Sequence, residues 1–239
     1  ALRAAGDAAG VRLAPGGVDT LHFTPDRGGV SVRQELGLTD AHVVVGLVAR
    51  LKPGRGHDLF LRAFAQAAVE EPALRALIVG HGDKQERERI AQAADRCGIP
   101  DRVAVFAPGI RYEQALAAID IGCLFHPGSA GTGQAALELM SMARPVVVRA
   151  TGVLALLAPG AEVIRASEGA SAAEGEPGGV DLAPAFAAAL VRLARDPDLR
   201  LDRGQAARTL VEERFSRTAL QKQLAAIADR LAPGSIGAP

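Results

Sequence analysis

Two stretches of the chain hold residues whose types and spacing could do chemistry. Residues 49–57 read Ala-Arg-Leu-Lys-Pro-Gly-Arg-Gly-His, placing the cations Arg50, Lys52 and Arg55 among two glycines. A diphosphate needs fixed positive charge and close backbone approach, and a guanidinium meets phosphate oxygens in bidentate fashion. A solvated basic loop is the other reading of the same residues. Residues 126–134 read His-Pro-Gly-Ser-Ala-Gly-Thr-Gly-Gln and run into the helical pattern AALELMSMA. A Gly131-Thr132-Gly133 turn at a helix N-terminus exposes unpaired N–H groups and the positive end of the helix dipole, which together make an anion site. Glu138 lies in that otherwise apolar helix, among Leu137, Leu139 and Met140. A lone carboxylate there is costly unless it is paired or faces a polar cleft. It could instead sit on an exposed stripe or pair with Arg144. His126, ahead of the turn, offers a polar contact or is simply solvated. Two further loops are weaker signals. Gly80-His81-Gly82-Asp83 lets backbone pack tightly near a ligand at Gly82, although a strand–helix turn capped by Asp83 accounts for the same residues. Pro108-Gly109-Ile110-Arg111-Tyr112 is a compact loop able to present backbone groups to a base.

These loops must be positioned by the elements around them, and the pattern of apolar runs says which. HVVVGLVA (42–49) is β-branched and continuous, as expected of a parallel strand buried on both faces. ALIVG (76–80), VAVFA (103–107), IGCLF (121–125) and PVVVRA (145–150) read as further strands, with VRLA (11–14) and 161–165 as weaker candidates. Between them, residues 58–70, 83–97, 112–119 and 133–143 carry helical spacing. The segments 181–195, 197–215 and 218–231 read as closing helices. Strand–helix alternation with crossovers of this length implies an α/β fold with a doubly wound parallel sheet. In such sheets ligands bind beyond the carboxyl ends of the strands, where all the loops above fall.

Bulk properties bound the function. With 239 residues, 49% of them hydrophobic, the chain can bury a sizeable core. Aromatic residues are only 3%, so Ala, Leu and Val must fill it. Lys plus Arg equals Asp plus Glu, 27 each, which argues against a nucleic-acid partner. Cys97 and Cys123 have no metal-ligand spacing and are expected as reduced structural thiols in a cytoplasmic protein. No run reaches the length of a membrane helix, and no signal peptide is expected. The start at Ala1, on a helix-like ALRAAGDAAG, reads as a fragment that lacks an N-terminal part.

Taken together, residues 131–147, Gly-Thr-Gly-Gln-Ala-Ala-Leu-Glu-Leu-Met-Ser-Met-Ala-Arg-Pro-Val-Val, resemble the signature of the group 1 retaining glycosyltransferases, E-G-F-G-x4-E-A-M-A-x-G-x-P-V-V. Val48-Ala49-Arg50-Leu51 with Arg55-Gly56 resembles their G-R-L-x3-K-G loop. Gly17-Val18-Asp19 with Phe23 resembles the N-G-V-D-x2-x-F opening of their C-terminal domain. Ile78-Val79-Gly80-His81-Gly82 resembles their L-V-G-x-G, and residues 203–216 their A-R-x5-F-S/T helix. The likeness covers residues 10–150 well and 180–231 loosely.

The resemblance implies a Rossmann-like fold, the C-terminal half of a two-domain enzyme that binds a nucleotide-sugar donor and transfers a hexose-type sugar with retention. It implies one domain over residues 1–232; within it the small-residue, low-complexity run 166–179 is expected to be a flexible loop, and 233–239, without periodicity, a disordered tail. A C-terminal helix at 217–231 would pack on the other half. It assigns the catalytic places to Arg50 and Arg55, on the donor diphosphate, and to Glu138, on the ribose hydroxyls. Gly131, Thr132, Gly133 and Gln134 would line the diphosphate, with Gly82, Ile110 and Arg111 close to the rest of the nucleotide. No cofactor or metal is implied. The donor is a UDP-, GDP- or ADP-sugar. The partners are an N-terminal Rossmann-like half and an acceptor saccharide or lipid, and any peripheral membrane association is assigned to that other half.

The sequence departs from the family pattern at three points. Ala130 stands where the first glutamate of the signature contacts the sugar, Gly16 replaces the asparagine of the opening motif, and residues 150–158 lack the usual Gly-Gly-x-x-Glu. Ala130 keeps open a non-catalytic binding or interaction domain derived from a glycosyltransferase. A nucleotide-sugar epimerase is a further alternative, although the loops hold few of the carboxylates and histidines it needs.

Overall fold

The computed structural model of the chain describes residues 17–125, 130–149, 161–164 and 181–231, together with Leu154 and Leu157. Six strands form one sheet: β1 (Val43–Val48), β2 (Leu74–Val79), β3 (Val103–Phe106), β4 (Ile121–Leu124), β5 (Val146–Arg149) and β6 (Glu162–Ile164). Their order is β3-β2-β1-β4-β5-β6 and every pairing is parallel. The strands are continuous apolar runs because both faces of the sheet are covered. On one face lie α2 (His57–Glu70), α3 (Lys84–Arg96) and α6 (Ala183–Arg195), around Phe60, Phe64, Phe125 and Phe186. On the other lie α1 (Val30–Glu35), α4 (Tyr112–Ala117), α5 (Ala130–Ser141) and α7 (Pro197–Arg214), around Phe23, Leu116, Met140 and Phe215. The last helix, α8 (Arg217–Leu231), follows at a corner. Among the described residues no helix is long and apolar enough to cross a membrane.

Strand order reverses between β1 and β4. The chain steps outward from β1 to β2 to β3, then returns to place β4 against the free side of β1, pairing Val45 with Ile121 and Leu47 with Cys123. The carboxyl ends of β1 and β4 therefore lie side by side, the place where such sheets open a crevice.

The corner at α7–α8 anchors the start of the described chain. Val18 donates its N–H to the Phe215 carbonyl at 2.8 Å, and its own carbonyl accepts the Arg217 N–H at 3.0 Å. Asp19 closes the turn by accepting the N–H groups of Leu21 and His22, and it pairs with Arg217 at 2.8 Å. The opening motif read from the sequence is thus a clasp between the two ends of the described chain.

Some expectations shift. Helix α5 begins at Ala130 and not at residue 133, so Gly131-Thr132-Gly133 is the helix's first turn and not a loop before it. Glycine weakens a helix interior by about 1 kcal/mol, which is why the sequence placed the boundary after these residues. The strong helix formers from Ala135 to Met140 and the packing of α5 on the sheet carry the helix back through them. The first turn still has N–H groups without intrahelical acceptors. Strand β2 starts at Leu74, two residues before the apolar run suggested, and α4 stops at Ala117 rather than at residue 119. Helix α1 was not foreseen, since it is six residues long and buries only Val32. The candidate strand at 11–14, the loop at 166–179, the tail at 233–239, Gly16, and residues 126–129 with His126 lie outside the described residues. Cys97 is half-buried, Cys123 is buried, and both are free thiols.

Candidate functional site

The basic loop after β1 is fixed from below by the end of β2. Ala49 donates its N–H to Val79 at 3.0 Å and Leu51 to His81 at 2.9 Å, extending the β1–β2 ladder past the strand ends. Leu51 is fully buried, and this side chain pins the loop while Arg50 and Lys52 on either side are exposed. Gly80 is required by this contact: a Cβ there would stand 1.9 Å from the Ala49 carbonyl oxygen. Gly82 lies against Leu51 in the same way, with a Cβ meeting the Leu51 side chain at 2.6 Å. The Val-Gly-His-Gly stretch therefore buttresses the basic loop. Asp83 caps α3 as expected, in a reciprocal box in which Glu86 N–H donates to Asp83 at 2.8 Å and Asp83 N–H to Glu86 at 2.9 Å. Arg55 is half-buried, and Gly56 turns the chain into α2 with φ +83°, a conformation in which a side chain would be strained.

Glu138 lies on α5, whose N-terminal turn faces the same edge. It is only 8% exposed, so it is not on an exposed stripe. It is not paired with Arg144 either, since that guanidinium donates to the Ala117 carbonyl at 3.1 Å. Its partners are Tyr112, whose hydroxyl donates to Oε2 at 2.6 Å, and Gln134, whose amide donates to Oε1 at 3.2 Å from one turn earlier. Burial raises the Glu138 pKa above the usual carboxylate value, against the two hydrogen bonds, which lower it. Burial, followed by the neighbouring Glu138 charge, likewise raises the Tyr112 pKa and keeps the phenol a proton donor.

The loop after β3 splits its residues. Ile110 is fully exposed. Arg111 is held between a 2.6 Å ion pair with Glu35 and the ring of Phe106, 5.0 Å from its centroid. Tyr112 turns inward to Glu138. The fold thus brings together Glu138, Gln134 and the end of the 108–112 loop, and it sets the Arg50–Arg55 loop on the same sheet edge through the β1–β4 pairing. Gly131 and Thr132 fall in the first turn of α5 with Gly133.

Two features were not legible as site residues. By sequence Tyr112 is only the end of a compact loop, because nothing local says that its hydroxyl reaches a residue 26 positions on. Arg149 ends β5 as a buried cation, 4% exposed, on the carboxyl edge; an arginine closing the run Val-Val-Val-Arg was the available signal. Among the described residues no group of three or more His, Cys, Asp or Glu side chains is arranged to hold a metal ion.

A D-inositol 3-phosphate glycosyltransferase of Corynebacterium jeikeium is 30% identical over 205 residues, 82% of this chain and 46% of that protein. The chain spans about a third to a half of the length of the curated relatives it matches, 34% and 46% in two of them. The C-terminal domain of a group 1 glycosyl transferase (LpcC) from Francisella tularensis superposes with a TM-score of 0.67 at 18% identity, covering 84% of this chain and 100% of that one. Anabaena HepE in complex with UDP superposes with a TM-score of 0.72 at 22% identity, over 90% of this chain and 56% of that one. These likenesses show the fold. The family of glycosyl transferases group 1 matches residues 42–196, well over half of the sequence, and the chain belongs to that family.

Proposed function

We propose that the chain binds a nucleoside diphosphate sugar on the carboxyl edge of its sheet and serves as the donor domain of a retaining glycosyltransferase. The observation that carries this reading is Glu138. It is a carboxylate 8% exposed on the helix that follows β4, and its hydrogen-bond donors are the Tyr112 hydroxyl and the Gln134 amide. A buried carboxylate held by neutral donors is costly for stability alone and suits the hydroxyls of a ribose. Arg50 and Arg55 supply the charge for the diphosphate, with the first-turn N–H groups of Gly131, Thr132 and Gly133. In transfer, these groups stabilise the nucleoside diphosphate as it leaves. The acceptor site belongs to the other half of the enzyme. HepE has been crystallised with UDP and with UDP-glucose, which makes UDP-sugars the first donors to test.

Calorimetry of the chain with UDP, GDP and ADP should show binding by at least one of them. Glu138→Gln should weaken it by roughly tenfold or more, the loss expected for a hydrogen-bonded charge. Absence of binding by all three at millimolar concentration would sink the reading.

A second reading rests on Ala130, which opens α5 where the family signature carries a glutamate. A donor-binding domain without transfer activity would bind UDP, yet the parent protein would neither hydrolyse nor transfer the sugar, before or after Ala130→Glu.

A further inference from the structure

Tyr112 is the chain's single tyrosine and opens α4. Its ring is clamped edge-on against Phe23, centroids 6.3 Å apart, and Phe23 meets His22 edge-on at 4.9 Å. The Phe23 carbonyl in turn accepts the buried Ser141 hydroxyl from α5 at 2.6 Å. Tyr112 and Glu138 are therefore tied to one another twice, directly at 2.6 Å and through the segment that carries Phe23. An ionised carboxylate has about four lone-pair sites. Tyr112 occupies one on Oε2 and Gln134 one on Oε1. One acceptor site per oxygen remains, which is the pattern that two adjacent hydroxyls of a cis-diol require.

We propose that Tyr112 is a positioning residue: its hydroxyl fixes the Glu138 carboxylate so that the remaining lone pairs accept the 2′ and 3′ hydroxyls of a bound ribonucleotide. The proposal rests on the donor-site reading above. The charged and titratable groups acting on Glu138 are Tyr112 itself, Glu113 on α4, whose charge raises its pKa, and His22, whose charge lowers it. His22 and Glu113 are paired with each other at 2.6 Å. Loss of the Tyr112 hydroxyl removes a donor from the ionised carboxylate, so Glu138 takes up a proton at higher pH. Diol binding needs the ionised form as acceptor. Affinity therefore falls as pH drops through the Glu138 pKa, and in Tyr112→Phe this fall starts at higher pH.

The experiment is calorimetry of the unaltered chain, Tyr112→Phe and Glu138→Gln with UDP, GDP, ADP and their 2′-deoxy counterparts, from acidic to neutral pH. Tyr112→Phe is expected to bind the ribonucleotide roughly tenfold more weakly. It should also show its acid limb displaced upward and a smaller preference for ribose over 2′-deoxyribose. A purely structural tyrosine would alter melting temperature without moving the pH limb or the sugar preference. If the unaltered chain binds and Glu138→Gln fails to, but Tyr112→Phe keeps the affinity, limb and preference, the inference is overturned and the donor site stands. If no nucleotide binds the unaltered chain, both fall. A second measurement needs no variant. With one tyrosine and no tryptophan, the tyrosine band of the near-ultraviolet signal, at longer wavelength than the phenylalanine bands, belongs to Tyr112. It should change in step with the pH at which nucleotide affinity is lost, and a signal flat across that range counts against the proposal.

Discussion

His57 opens α2 with 2% exposure, and neither ring nitrogen has a hydrogen-bond partner among the described residues. Burial, reinforced by the nearby Arg89, pushes its pKa down from 6.5 to about 4. The unfolded imidazole takes up a proton as pH falls through about 6.5, whereas the folded one waits until about 4, so over that interval the unfolded state binds more protons. The contribution is complete above pH 6.5 and is lost progressively as pH falls to about 4, on the order of 3 kcal/mol in all. Urea unfolding at a series of pH values should show this slope, and His57→Leu should flatten it with little loss at neutral pH. An unchanged slope in the variant would assign the acid sensitivity elsewhere. The sequence offered His57 only as the last residue of a basic loop. Arg50, Arg55 and Glu138 could be named because a loop rich in cations and a carboxylate in an apolar run are local anomalies. The burial of His57 and the reach of Tyr112 to Glu138 depend on neighbours distant in sequence.

At the scale of elements, the basic loop is only as well placed as the strand end beneath it. Gly80→Ala puts a Cβ 1.9 Å from the Ala49 carbonyl oxygen, an overlap that the backbone must relieve by moving the loop that carries Arg50. Overpacking of this kind costs about 1–3 kcal/mol. The expected outcome is a lower melting temperature together with weaker nucleotide binding, read by thermal unfolding and calorimetry on the same sample. Retained affinity would show that the loop adapts without losing its charge placement. The apolar runs predicted the central strands well, because a strand covered on both faces must be apolar throughout. Helix ends were less legible. The glycines at the start of α5 read as a turn and place its boundary three residues late, and α1, a six-residue helix with one buried side chain, leaves almost no periodic signal.

For the whole molecule, one sheet serves two apolar layers, with Val45, Leu47, Ile121 and Val147 on one face and Val44, Leu77, Val79 and Val148 on the other. Neither layer can open without exposing the strands that the other also packs against. Unfolding in urea should therefore be a single transition. The Tyr112 fluorescence reports the α4–α5 side alone, since the chain has one tyrosine and no tryptophan, while far-ultraviolet circular dichroism reports all helices. The two curves should coincide; separate midpoints would mean that the α4–α5 side opens on its own. The clasp of Val18 on Phe215 and Arg217 adds closure between the ends of the described chain.

What the sequence determined by itself is the alternation of buried strands and amphipathic helices, and with it a parallel α/β sheet whose carboxyl-edge loops carry the charged residues. Periodicity and loop chemistry are local properties, and they are written residue by residue. Strand order, the reversal between β1 and β4, and the meeting of Tyr112 with Glu138 were decided only in the tertiary structure. These depend on which of several equally apolar strands pair and on how α4 crosses to α5, and such choices are made by packing between segments far apart in the chain.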